Sequence, residues 1–297
     1  MSIATCVPVL ASAALYLLTT RAFGPTLALI GSRQLPRQRS RKLAQLEGET
    51  MPLPQQELTL ARKRTNALLT WITPDGAVRR AAPTPALLSE RLYEARQARD
   101  KKWKVPNEKT HQGFYWMSQT GQLVWHETML EYLALMYLDF ADDIAAIVAQ
   151  PMLITFGDGT AHFPDFMCLT KRAEQAIVDV HRADKIEEDP SQFEKTFDLC
   201  QCVGWTFRLF AGLNGVQVSN LEWLSRFRHR SYVPTLENRD EILGFAGRGA
   251  TLGEVANRHP GSQSPLLGQL YNMIWRREIG FDLSEPMSTD SPLWRLQ

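Results

Sequence analysis

The sequence predicts an α/β core with a mixed central sheet over residues 110–232, followed by a small, mostly helical domain over 233–297. Three observations predict it. Helix-spaced and strand-spaced segments alternate between Glu127 and Arg228. A Gly157-Asp158-Gly159 turn joins two β-rich runs. Beyond residue 236 the apolar periodicity is almost wholly helical.

Taken in order, Leu68-Leu69-Thr70-Trp71-Ile72 followed by Pro74-Asp75-Gly76 predicts a short strand entering a tight turn. Pro85 to Arg99 predicts a helix with Leu87, Leu88, Leu92 and Tyr93 on one face. Glu127 to Phe140 predicts another, with Leu130, Leu133, Ala134 and Tyr137 on one side. Ile144 to Phe156 is β-rich, and Gln150-Pro151 within it marks a sheet edge or a strand start. His162 to Leu169 then returns as a strand, and Gln175 to His181 adds a further one. A helix over Phe193 to Val203, a strand over Trp205 to Phe210 and a helix over Val218 to Arg228 complete the core. Arg239–Phe245, Leu252–Asn257 and Ser264–Arg277 predict three helices, and Phe281-Asp282-Leu283 a strand, which is a winged-helix-like order.

The 297 residues are 44 % hydrophobic and 22 % charged with a net charge of +1, the balance of a folded globular chain rather than a disordered or uniformly basic one. Four cysteines are too few and too uneven for a disulfide framework, and the Cys200-x-Cys202 pair has no second pair at zinc-ligand spacing. Residues 1–55 hold an uncharged apolar run from Ile3 to Thr20 and then a basic, proline-containing linker. Three readings fit that run: translation assigned too far upstream, a membrane helix, or a buried helix. Residues 56–109 form an extension before the core. Its end carries Lys102 and Lys104 beside Trp103, which reads as a solvated helix end or as phosphate contacts.

The chemistry concentrates on three acids. Asp165 follows Pro164, and Asp179 stands fourteen residues later. On neighbouring strands about 4.8 Å apart, two such carboxylates can share one cation. Alternation puts Asp179 and His181 on one face and turns Val180 to the core. Glu127 and Glu131 share a helix face, and Glu131, deeper in the apolar run, is the favoured third acid. Hard oxygen donors suit Mg²⁺, with Mn²⁺ as a substitute, and a metal-held water is what phosphodiester hydrolysis requires. His162, three residues before Asp165, alternates away from it and reads as structural. Lys185 could reach the same site from a neighbouring turn. Arg226, Arg228 and Arg230 cluster after the core, where they could brace phosphates or form a solvated helix end.

The segments Gln119–Val124, Leu138–Phe140, Val148–Pro151, His162–Phe166, Val178–His181 and Ser219–Leu224 together resemble the TnsA-like endonuclease subunit of heteromeric transposases, in its actinobacterial branch. The likeness covers about residues 110–230. It implies a restriction-endonuclease-like PD-(D/E)xK core in which Glu131, Asp165 and Asp179 hold Mg²⁺. It also implies a cytoplasmic enzyme that cuts transposon-end DNA opposite the strand cut by a DDE-type transposase, beside an AAA+ ATPase regulator. The family's lysine falls on His181. Imidazole can act as base or donor but lacks a guaranteed positive charge near neutrality, so a scaffold subunit of weak or absent activity is the alternative.

Overall fold

The computed structural model describes residues 65–98, 111–141, 143–257 and 265–296. The N-terminal apolar run, the linker, Lys102 and Lys104 lie outside the described residues.

Strands β1 (Ala67–Ile72) and β2 (Val78–Ala81) form a hairpin around the expected turn. The helix expected over Pro85–Arg99 is absent; two short 3₁₀ turns, Pro85–Ser89 and Leu92–Glu94, stand there instead. The sheet edge outcompetes the helix: Arg96 N–H donates to Ile72 O at 2.8 Å, drawing the segment out into a bridge beside β1. Strands β3 (Gly113–Met117) and β4 (Gln122–His126) make a second hairpin, and α1 (Met129–Ala141) follows. Leu135, Met136 and Leu138 are as buried as Ala134, so α1 is enclosed on more than the single face its periodicity suggested.

The β-rich middle folds as a long hairpin bent at two prolines. Its first arm is β5 (Ile144–Ala149) and β6 (Met152–Phe156), broken at Gln150-Pro151. Its second arm is β7 (Ala161–His162) and β8 (Phe166–Thr170), broken at Phe163-Pro164. Proline has no N–H to give a ladder, so each long strand expected from the sequence divides where its proline stands. The halves enter different sheets. β6 and β7 join β1 and β2 in one four-stranded sheet, ordered β2-β1-β6-β7. β5 and β8 join β9 (Gln175–Val180) and β10 in the other, ordered β10-β9-β8-β5.

After β9 come α2 (Ala183–Glu188), α3 (Ser191–Val203), β10 (Thr206–Phe210) and α4 (Gly215–Ser225). α3 ends on Gly204, whose φ of 96° is the left-handed cap that a glycine adopts without strain. β10 runs parallel to β9 while β8 and β5 run antiparallel, so this sheet is mixed. The remainder is α5 (Leu236–Gly247), α6 (Leu252–Ala256), α7 (Pro265–Trp275) and a two-residue pair, β11 (Ile279–Gly280) with β12 (Trp294–Arg295). The strand expected at Phe281–Leu283 therefore lies two residues earlier. The described residues thus form an α/β protein with several sheets and seven α-helices.

One apolar core runs from Tyr115 through Leu135, Val178 and Leu221 to Leu270, Trp275 and Leu293, so the C-terminal helices share it with the mixed sheet. Two polar knots hold these parts together. Asn220 on α4 donates to Leu283 O and Glu285 O at 3.0 and 2.7 Å and accepts from Met287 N–H at 3.2 Å, clasping the tail. Asp139, 2 % exposed, accepts from Tyr115 O–H, Ser118 N–H and Oγ–H, and Gln119 N–H at 2.9–3.1 Å. Trp275 of α7 in turn donates to Ser118 Oγ at 3.1 Å. Asp139→Ala strands these donors in the interior, and the variant should lose about 3 kcal/mol of stability. Urea unfolding followed by tryptophan fluorescence should show a lowered midpoint with an unchanged slope.

Candidate functional site

The two proline breaks bring together a corner of the bent hairpin, and Asp165 sits on it. Gln150, at a φ of 47°, donates its N–H to Asp165 O at 2.8 Å across the corner. Asp165 N–H donates to Asp179 Oδ1 at 3.3 Å, and Val180 N–H donates to Asp165 Oδ2 at 2.7 Å. Each aspartate thus accepts from the other strand's backbone, and the two carboxylates are held side by side at the start of β8 and the end of β9. Asp179 is buried at 1 % exposure, whereas Asp165 is half-buried.

The acidic end of α1 closes in on them. Burial, then the charge of Asp179, then that of Glu131, push the Asp165 carboxyl well above the usual carboxylate range; the Val180 N–H opposes this and Glu127 adds to it. Glu131 is buried too, and desolvation raises its carboxyl against the pull of its hydrogen bonds. Those bonds form a helix cap. Glu131 accepts from Glu127 N–H at 2.7 Å and from Thr128 O–H at 3.0 Å, while Thr128 Oγ accepts from Glu131 N–H at 3.1 Å. Glu131 therefore has a local structural role as well as a place beside the aspartates.

The structure treats the other expected residues differently. His181 does follow Asp179 toward α3, and Val180 turns to the core, as alternation required. The imidazole of His181 is exposed and packs on Phe193 with ring centres 5.5 Å apart; among the described contacts it shares no hydrogen bond with Asp165 or Asp179. Lys185 does not reach in, because its ammonium pairs with Glu188 at 2.6 Å on α2. Arg226 lies over the Trp223 ring, and Arg228 lies over Tyr115 and Trp116 while donating to Ser225 O at 3.1 Å. Arg230 opens an exposed 3₁₀ turn. None of these three arginines bonds to the carboxylates.

Two side chains that the sequence did not assign to the site belong to it. His162 Nε2 lies 2.9 Å from Asp179 Oδ2, and Gln192 Nε2 lies 2.9 Å from His162 Nδ1. An offset of three along one strand would turn His162 away from Asp165. The break at Pro164 resets that alternation, and the proline was the signal that could have shown it. Gln192, in the first turn of α3, has no such signal.

The donor set is carboxylate oxygen, which suits a hard divalent cation. Among the described residues Asp165 Oδ1 takes no hydrogen bond, while the oxygens of Asp179 and Glu131 each accept one and keep a second lone pair. As they stand, no three His, Cys, Asp or Glu side chains among the described residues enclose a metal position. Asp165, Asp179 and Glu131 carry the oxygen donor chemistry that such an ion takes, with both Glu131 oxygens engaged in the helix cap.

No protein-family model matches this chain, and no curated protein matches it. Among the described residues no helix is long and apolar enough to cross a membrane.

The raised carboxyl of Asp165 has a consequence for stability. A carboxyl pushed up by folding makes the folded state hold its proton more tightly. Its contribution is full below the ordinary carboxylate value of ~3.9 and is lost as pH rises through the raised value. Without divalent cations, thermal unfolding should show stability falling over that rise, and Asp165→Asn should flatten part of the slope. An unchanged slope in the variant would contradict the crowding of charge around Asp165.

Proposed function

We propose that the chain is a divalent-metal DNA endonuclease subunit of a cut-and-paste transposase, with a PD-(D/E)xK core and a winged-helix-like C-terminal part. The observation that carries this reading is the crossed hydrogen bonding at adjacent strand ends, Asp165 N–H to the Asp179 carboxylate and Val180 N–H to the Asp165 carboxylate, with Glu131 within electrostatic reach. Three acids of like charge gathered in a half-buried corner are a costly arrangement unless a cation offsets them. The resemblance of residues 110–230 to TnsA-like subunits supports the same reading independently of that geometry.

On this reading Asp165 and Asp179 hold Mg²⁺, or Mn²⁺ in its place, with Glu131 as the third ligand. When bound, the ion supplies neutralisation of the scissile phosphate and a water that is readily deprotonated. The residues do the rest. The two aspartates fix where the phosphodiester must lie, and the corner keeps them in register. Arg226, Arg228 and Arg230, with Lys102 and Lys104, supply cations for the DNA backbone. The partners are transposon-end DNA, a DDE-type transposase that cuts the opposite strand, and an AAA+ ATPase regulator, all in the cytoplasm.

A second reading is favoured by one observation: His181, where the family has lysine, packs on Phe193 rather than on the carboxylates. A scaffold subunit that keeps the fold and holds DNA and partners, without cutting, fits that packing.

Cleavage of labelled transposon-end DNA by the full chain with the transposase encoded beside it separates the two. Cuts in Mg²⁺ or Mn²⁺ that fall to background in Asp165→Ala are the expected outcome. Assembly without such cuts in either metal would leave the scaffold reading standing. In the same assay His181→Lys, which supplies a standing positive charge, should speed cutting by about tenfold or more. An equal rate would show that position 181 takes no part in the chemistry, and a slower one that the imidazole itself contributes.

A further inference from the structure

We propose that His162, backed by Gln192, is a positioning residue for Asp179. The inference rests on the nuclease reading and extends it. Asp179 is buried, so its carboxylate plane must be fixed by protein groups. Asp165 N–H takes Oδ1 at 3.3 Å, and His162 takes Oδ2 at 2.9 Å. The side chain of His162 is itself only 11 % exposed, so little water competes for that bond.

Gln192 decides which proton His162 carries. The Gln192 amide stands 2.9 Å from Nδ1, and its N–H donates there. Nδ1 is then the acceptor, and Nε2 carries the hydrogen given to Asp179. An N–H held in one direction fixes the plane of the carboxylate and so the direction of its remaining lone pairs, which a cation shared with Asp165 would meet. The three elements involved, β7, β9 and α3, meet at this one chain of bonds, so the ring has a single packed orientation.

The test is Mn²⁺ binding, read from the loss of free-ion signal in electron paramagnetic resonance, with thermal unfolding in the absence of metal as a check on folding. His162→Ala should weaken Mn²⁺ binding by about 10- to 100-fold. His162→Gln, whose amide can place a donor near the lost Nε2–H, should recover most of that. Gln192→Leu, which frees the ring to adopt the other tautomer, should weaken binding while leaving His162 in place. Wild-type affinity in His162→Ala, or equal weakness in His162→Gln and His162→Ala when both are folded, would overturn the inference and leave the nuclease reading intact. If His162→Ala does not fold, Gln192→Leu decides, and unchanged binding there overturns it. A wild-type chain that binds no Mn²⁺ at millimolar concentration would remove the nuclease reading and this inference with it.

Discussion

The structure depends on a missing hydrogen. Pro151 and Pro164 cannot donate to a ladder, and they stand on the two arms of one long hairpin. Both arms must break, and the breaks fall opposite one another, so the hairpin leaves the mixed sheet and joins a second one. Gln150 closes the corner by donating to Asp165 O, at the cost of a left-handed backbone that a non-glycine residue adopts only under tertiary constraint. Everything at the acidic corner follows from this bend. Asp165 is oriented by its backbone on one side and by Val180 N–H on the other, and His162 is swung back toward Asp179.

Electrostatics gives that corner its character. Burial alone penalises a carboxylate, and here the neighbouring carboxylates add to the penalty instead of relieving it. The contrast with Asp139 is instructive. That aspartate is the more deeply buried of the two, and its hydrogen-bond donors surround it and join the hairpin, α1 and, through Ser118, α7. At Asp139 burial also raises the carboxyl, but hydrogen bonds from Ser118, Tyr115 and Gln119 oppose it; at Asp165 neighbouring carboxylates add to the rise, and among the described residues only one of its oxygens accepts a hydrogen bond. The first arrangement stabilises a fold; the second concentrates negative charge that its own hydrogen bonds do not offset.

Much of the architecture was legible because periodicity and turn chemistry are local. The β1–β2 turn, the Gly157-Asp158-Gly159 turn, α1, α3 and the β9–α3–β10 order all come from short-range pattern. The acids Asp165 and Asp179 were legible as a strand-paired couple for the same reason, and the turn of Asp179 and His181 toward α3 followed from alternation. What failed had both distant and local causes. The segment after Pro85 gave up its helix to pair with β1, which no local pattern encodes. Counting alternation through Pro164 put His162 on the wrong side. The cap that engages Glu131 was visible as Thr128-x-x-Glu131, but a metal-ligand reading of the same residue overshadowed it.

The continuous core also constrains how the molecule is made. Trp275 is bonded to Ser118, more than half the chain length away, and Leu293 packs in the same apolar interior as Tyr115. Synthesis runs from the N-terminus, so the mixed sheet emerges from the ribosome while part of its covering is still unsynthesised. The nascent chain must wait with α1 and α4 incompletely sheltered, and closure comes only when residue 293 is free to dock. Contacts this far apart in sequence raise the loop-closure entropy that folding must overcome before they form.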